Sequence, residues 1–486
     1  MLTQTRLRSA LLGSGAAVAL LMPSAVATAG EVDGLKDQIQ ALQDRLDRIE
    51  QDQAAIDEQA YTIAPAMAVM GGDIEGSFKL PGSDTSMKIG GFLRADFTYD
   101  FDTNSDALGD GSFYFSVIPL DNTAGANKDG EFRFTSRQTW IDITTSTPSE
   151  YGEITTYVAI NFSRGGTPRP TFTDTEFTLN GFTPKLVESY GTIGPLLVGQ
   201  TVSTFSDYSS YPTTLDWFNT VGETWIYQTQ IRYTHDLGDG MVLKLALENP
   251  ELHAVATNVG AAVSTRASAL TSVSDFAQTT AATGTGAGGG PDSYPDAVIK
   301  LEYDQSWGHL GLGAVFRNLE FDNGAGAQDS ALGWGTIIGL WLPTFGDDSL
   351  NASLIYGEGV GRYVFGGLTD ALIRNVTSGG TPDVDPVTTW GWHVGYQHWW
   401  TDSLASNAVF GWVHTEIDVL DAFGPGQRGV ASFDTNENIQ SVHANILWYP
   451  ADPVTIGLEY IFGARDAIDG QYATASRLQM AFWYSF

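Results

Sequence analysis

MKIGGFLRADFTYDF, Met87 to Phe101, is the stretch on which the reading of the fold turns. Ile89, Leu93, Ala95, Phe97, Tyr99 and Phe101 share one face, and Lys88, Arg94, Asp96, Thr98 and Asp100 share the other. A period of two residues is that of a β-strand, whose side chains point alternately to opposite faces. The same alternation recurs far down the chain. EITTYVAINF sets Ile154, Val158 and Ile160 against Glu153, Thr155 and Tyr157, and TIGLEYIFGAR sets Ile456, Leu458 and Tyr460 against Thr455 and Glu459.

Alternation alone also fits a soluble sheet with one wet face. Three features point to a membrane instead. Aromatics crowd at strand ends, as in WGWHVGYQHWW (Trp390 to Trp400) and LWYP (Trp448, Tyr449), where interfacial girdles are expected. Connections alternate between tight turns, such as WWTDSL and YPADPV, and long loops, one of which runs over residues 252–296. The last strand, AFWYSF, puts Phe482, Tyr484 and Phe486 on one face. This ending resembles the C-terminal signal read by outer-membrane insertion machinery. Lipid cannot satisfy an open sheet edge, so the sheet must close. Residues 86–486 at about 25 residues per strand and connection predict an all-β transmembrane antiparallel barrel of about 16 strands. A barrel of that size has a lumen too wide for side chains to fill, so water occupies it unless a loop folds in.

Ahead of the barrel the pattern is different. Residues 1–29 carry Arg6 and Arg8, an apolar run from Ala10 to Met22, and Ala27-Thr28-Ala29 before Gly30. That order is a secretory signal with cleavage after Ala29, and the run is short of the ~20 residues needed to span a bilayer. Residues 30–59 place Leu35, Leu42, Ile49 and Ile56 at one heptad position and Ile39 and Leu46 at the other. A two-in-seven seam predicts a self-associating periplasmic coiled coil. Residues 60–85, broken by Pro65, Gly71, Gly72, Pro81 and Gly82, read as a linker.

Composition removes several functions. There are 486 residues with no cysteine, so no disulfide or thiolate chemistry is expected. Lys and Arg number 24 against 57 Asp and Glu, a formal charge of −33, or −33 − 2 = −35 once the signal's two Arg are gone. A nucleic-acid partner is not expected, because phosphate binding needs a basic footprint. The seven His are scattered, and no H-E-x-x-H, G-x-S-x-G or Walker pattern occurs. No catalytic residue, metal or cofactor is expected, which leaves a polar lumen with placed charge.

Strand parity turns Lys88, Arg94, Arg232, Lys244, Lys300, Arg317, Arg465 and Arg477 inward. Arg133 and Arg137, in EFRFTSRQTW, share a face with Ile141 and Ile143, so a bulge or an interface position has to be assumed there. For each base the alternative is an ion pair inside the wall. LLVGQTVSTFSDYSSYPTTLDWF, Leu196 to Phe218, begins as a strand and continues as a polar, aromatic loop.

The blocks FRFTSRQTW, YVAINF, VESYGTIGPLLVGQTVSTFSDYSSYPTTLDWF and QTQIRYTHDLGDGMVLKLALENPE, with the coiled coil before them, resemble the DcaP-like porin family. The resemblance covers most of residues 31–260 and is looser beyond. It implies a homotrimeric, 16-stranded outer-membrane diffusion porin of a Gram-negative bacterium, admitting small anions, dicarboxylates in particular, past an arginine-rich constriction. By order, residues 201–224 resemble the third long loop, which such porins fold into the lumen. Arg94, Arg133, Arg137, Lys185, Arg232, Lys244, Lys300 and Arg317 would then line the pore and attract carboxylates. From the inserted loop, Asp207 and Asp216 would set the opposing field, and Tyr208, Tyr211 and Trp217 would pack on the wall. The family's basic-x-basic element reads Lys185-Leu186-Val187 here, with one of two charges missing. A general or cation-selective porin, and a structural or adhesive barrel with the coiled coil reaching the cell wall, are the alternatives.

Overall fold

The computed structural model describes residues 40, 43–46, 48, 71–102, 111–121, 123–127, 130–163, 184–256, 292–322, 326–365, 368–374, 380–417 and 435–486. The signal, nearly all of the coiled coil and most of the 252–296 loop lie outside these residues. The chain divides into two units, Met1–Met70 and Gly71–Phe486. In the second, the described backbone before the barrel includes a short strand, Phe78–Lys79, that pairs with Ser86 and Met87.

Sixteen antiparallel wall strands follow in chain order. They are Ser86–Asp100, an interrupted strand of Glu131–Thr135 and Trp140–Ser149, Gly152–Asn161, Lys185–Ile193, Leu196–Val202, Tyr227–Gly238, Met241–Glu248 and Asp296–Gln305. Gly308–Asp322, Gln328–Pro343, Ser349–Glu358, Thr388–Thr401, Leu404–Glu416, Asn436–Ala451, Val454–Ala467 and Tyr472–Ser485 complete them. Each pairs with its neighbours, and the last closes on the first through Phe92↔Ser485 to Asp100↔Arg477. Closure leaves no edge for lipid to meet.

The alternation read from the sequence sets the two faces. Ile89, Leu93, Tyr99, Ile143, Val158, Ile231, Leu245 and Leu312 are exposed, although apolar, because they point outward into the space a bilayer fills. Of the two readings left open for Arg133 and Arg137, a bulge or an interface position, the strand pairing shows a bulge. Thr98 pairs with Arg133 and Phe92 with Trp140, so Leu93–Ala95 face four residues, Ser136 to Thr139. The extra residue reverses the parity. Arg133 and Trp140 therefore both face inward, and Ile141 and Ile143 face out.

Tight turns lie at the end where the Ser86–Asp100 strand begins, and the long connections lie at the other. One tight turn carries a carboxylate clasp. Asp348 accepts from His398 Nδ1 at 2.8 Å, from the Trp399 backbone N–H at 2.9 Å and from the Tyr396 hydroxyl at 2.8 Å. The His398 bond first, and then the Trp399 N–H, lower its pKa to about 2. A depressed carboxylate pKa contributes stability above the unfolded value of about 3.9, and that stability is lost as pH falls through the folded value. Wild type should thus melt above Asp348→Asn at neutral pH. Scanning calorimetry should show the gap closing between about pH 4 and about pH 2. A gap that persists at pH 2 would contradict the clasp.

Apolar burial inside the barrel is supplied by loops. Phe113, Phe115, Ile118 and Leu120 from the first long loop, Phe205 and Val221 from the third, and Val360, Tyr363, Val364 and Phe365 from the sixth form one cluster. It packs on small or branched inward wall residues such as Ala246, Val315, Val413, Ile439 and Ala475.

Candidate functional site: the loop-filled lumen

The third connection, residues 203–226, leaves the wall after Val202 and runs along the inside of the barrel. Its start is fixed by Glu248, which accepts from Ser203 Oγ at 2.7 Å and from the Thr204 N–H at 2.6 Å. Asp207, fully buried, meets Lys300 Nζ at 3.0 Å and His309 Nε2 at 3.0 Å. Further on, the Tyr211 carbonyl accepts from Asn351, the Ser210 carbonyl from His393 and the Thr213 carbonyl from Asn445, each at 3.0 Å. The N–H groups of Leu215 and Asp216 then donate to Glu459 at 2.9 and 3.0 Å. Arg94 donates to the Leu215 carbonyl, which brings the loop back to the first strand.

The loop returns on itself. Thr220 Oγ1 lies 2.7 Å from Ser441 Oγ, the Phe365 N–H donates to the Glu223 carbonyl at 2.8 Å, and Tyr211 OH donates to the Thr224 carbonyl between the two limbs. Every carbonyl and N–H spent here is one the loop cannot satisfy with wall pairing, so inward polar side chains take that place. Phe205 and Leu215, neither with any exposed surface, each contribute about 2–3 kcal/mol by burial. Close approach to the wall requires glycine. A Cβ on Gly339 would overlap the Asp207 carboxylate, and one on Gly411 would overlap the Val221 carbonyl.

This course sorts the expected pore residues. Arg94 is 8% exposed and holds Asp96 through Nε and Nη2 at 2.9 and 2.8 Å. Lys300 is 3% exposed and meets Asp207 at 3.0 Å and Glu302 at 2.9 Å. Arg317 is 2% exposed and meets Asp296 at 3.0 Å and Asp370 at 2.8 Å. These three face inward, as parity requires, but they fasten loops rather than meet water. A charge enclosed by loop packing must be paired, since an unpaired buried charge costs several kcal/mol, on the order of 3–5. Asp207 and Asp216 are buried as well, and Asp216 accepts from the Phe113 N–H at 2.9 Å. Their expected part in a solvent-facing field gives way to anchoring.

Arg133 pairs with Glu131 toward the long-loop end, and Lys185 opens its strand there opposite Asn161. Arg137 is buried in the strand interruption. Trp217 packs on the wall, 6.0 Å from Phe92 and 5.9 Å from Trp140 between ring centroids. Tyr211 packs against Tyr208, whereas Tyr208 itself is 65% exposed.

Arg232 and Lys244 remain partly open to the lumen. With them sequence reasoning passed over Asp142, Tyr157, Glu188, Tyr190 and Glu302, all inward and only partly buried. The signal was present in the same parity, but on the wall strands only bases were singled out as pore residues. Their charges are matched. Lys88 acts on Asp142, Glu188 and Glu302 act on Arg232, and Lys244 meets Glu302 at 2.6 Å. Tyr208 of the loop lies within electrostatic reach of Glu188 on the wall. Among the described residues, the unfilled part of the lumen is therefore eccentric. It is bordered by the partly buried Lys88, Asp142, Glu188, Arg232, Lys244 and Glu302 of the wall and by Tyr208 of the third loop, whereas Arg94, Asp96 and Asp100 of the first strand are covered.

No group of three or more His, Asp or Glu with metal-holding geometry occurs among the described residues. No curated protein matches the chain. Solved structures do. The outer membrane channel DcaP of Acinetobacter baumannii matches at 18% identity with a TM-score of 0.65, over 85% of this chain and 100% of that one. An anion-selective porin from Comamonas acidovorans matches at 10% identity and 0.48, over 83% and 100%. The trimer form of OmpT of Vibrio cholerae matches at 10% identity and 0.42, over 83% and 99%. The first of these shares the closed barrel found here. A family model described as porin subfamily matches residues 75–480, and the chain belongs to that family.

Proposed function

We propose that the protein is an outer-membrane channel for passive diffusion of small polar solutes, carboxylates included, with little preference for charge sign. The observation that carries this reading is the eccentric path, where each partly open base has an acid beside it. A unit charge about 7 Å from a permeating ion is worth about 2 kcal/mol at an effective dielectric of ~20. An opposite charge at nearly the same distance removes most of that, and acids on the outer loops lie beyond a Debye length of ~8 Å. Arg232 and Lys244 give small anions, dicarboxylates among them, a foothold that Glu188 and Glu302 offset. The signal peptide supports export, and the porin family supports the outer membrane as destination. A homotrimer, with the 30–59 coiled coil in the periplasm within reach of the cell wall, is part of the same proposal.

Purified protein in planar bilayers tests it. Stepwise conductance is expected, with a reversal potential near zero in a tenfold salt gradient. A potential near the full Nernst value would overturn the balanced reading: in the anion direction it restores strong anion selectivity, in the cation direction it gives a cation channel. A barrel that conducts nothing would be structural.

A further inference from the structure

The diffusion path has a second property that charge does not explain. One of its sides carries a set of partly buried aromatic rings that pack on the buried Trp140. Trp140 and Trp217 have ring centroids 5.9 Å apart, Trp217 and Trp225 6.3 Å, and Trp225 and Tyr227 6.0 Å. Trp140 Nε1 reaches the Tyr157 hydroxyl at 3.4 Å, and the Tyr157 and Tyr190 rings are 5.5 Å apart. Trp217 and Trp225 come from the inserted loop, and Tyr227, Tyr157 and Tyr190 from the wall. All five are only partly buried. Glu188 and Arg232 lie beside them, Arg232 within electrostatic reach of both Glu188 and Tyr190.

We propose that this strip is a binding subsite for carbohydrate, a pyranose ring or a short chain of them. The inference rests on the diffusion channel proposed above. A pyranose has a face of C–H groups that lies against an aromatic ring and an edge of hydroxyls that both donate and accept. An anion would meet Glu188 as well as Arg232, and a cation the reverse. A wholly apolar ring would cover the strip but leave the carboxylate and the guanidinium desolvated without new partners, which is costly. A hydroxylated ring satisfies both at once: its hydroxyls donate to Glu188 and accept from Arg232 while its C–H face covers the indole or phenol. Ring centres about 6 Å apart give successive platforms, so a chain of several sugar rings gains contact with each added unit.

The experiment is current block in planar bilayers with the full-length protein, using maltotriose as probe, sorbitol as an acyclic polyol and benzoate as an aromatic anion. Maltotriose should interrupt the ion current reversibly and saturably, and sorbitol and benzoate should do so far less. An aromatic contact worth about 0.5–1.5 kcal/mol corresponds to a two- to tenfold change in half-blocking concentration. Tyr190→Ala and Trp217→Ala are each expected to raise that concentration by such a factor. Should Trp217→Ala instead disturb the loop, open conductance would change, and Tyr190→Ala, on a wall strand, then decides. No block by maltotriose, equal block by sorbitol or benzoate, or a half-blocking concentration unmoved by Tyr190→Ala would each overturn the subsite and leave the diffusion channel standing. Absence of any conductance would remove both.

Discussion

Replacing residues 207–220 by a short Gly-Ser link raises the open conductance about twofold or more, because a 16-stranded lumen is water-filled unless something occupies it. The loop has contacts to Lys300, His309, Asn351, His393, Asn445 and Glu459, which lie on six different wall strands. Those contacts are made by side chains. The ladder hydrogen bonds of the wall do not pass through the loop, so the barrel should persist without it. Gel mobility of heated against unheated protein would verify that it does. Single-channel recording supplies the result, and an unchanged conductance would mean that residues 203–226 do not set the narrowest section.

The second large effect is expected at Glu459. Its carboxylate is fully buried and takes the N–H groups of Leu215 and Asp216, with Asn445 Nδ2 at 2.8 Å and His443 Nδ1 at 3.2 Å. Glu459→Ala leaves all four without that acceptor, in a space already enclosed by the loop. Breaking one partner of such a buried set costs about 3–5 kcal/mol. The thermal midpoint in detergent should fall by several degrees, and the open current should become noisy as the loop leaves its seat. Glu459→Gln keeps the shape and one acceptor and should lie between. A quiet current and an unmoved midpoint in the alanine variant would show that the loop is held elsewhere.

The wall was legible in the sequence because membrane and lumen impose opposite demands on alternate residues. Ile89, Leu93 and Tyr99 against Lys88, Arg94 and Asp96 are enough to assign both faces. The parity conflict between Arg133 and Ile141 required a bulge or an interface position, and the strand pairing places a bulge at Ser136–Thr139. The inward course of the third loop was expected only from the resemblance to porins, with residues 201–224 matched to that loop by their order in the chain. What was not legible is how far the lumen is filled. Phe113 to Leu120 and Val360 to Phe365 are short apolar runs without a period, and such runs do not announce what they pack against. A usable signal existed on the partner surface. Gly339, Gly411, Gly457 and Gly463 are inward positions without side chains, crowded onto the later strands. The earlier strands carry Lys88, Asp142, Glu188 and Arg232 at the equivalent positions. Bare inner wall marks where loops lie, whereas charged inner wall is found both under loops, as at Arg317 and Glu459, and along the unfilled side, as at Lys88 and Arg232. The roles of Arg94, Lys300 and Arg317 could not be read from parity, because facing inward says nothing about what covers a residue.

The seam between the first and last strands has a consequence in time. Each other wall pairing joins strands that follow one another along the chain. The seam pairs Phe92 with Ser485, a separation of 485 − 92 = 393 residues. Closing a loop of that length costs about 5 kcal/mol in chain entropy, against far less for a hairpin. Its registration is helped by Arg477 Nη2, 3.0 Å from Asp100 Oδ2. Local hairpins can zip at once, but the seam must wait for both ends of the barrel. The rate of assembly is thus expected to depend on a handful of residues at Asp100 and Arg477 that touch neither solute nor lipid, and a lesion there would delay the barrel's completion.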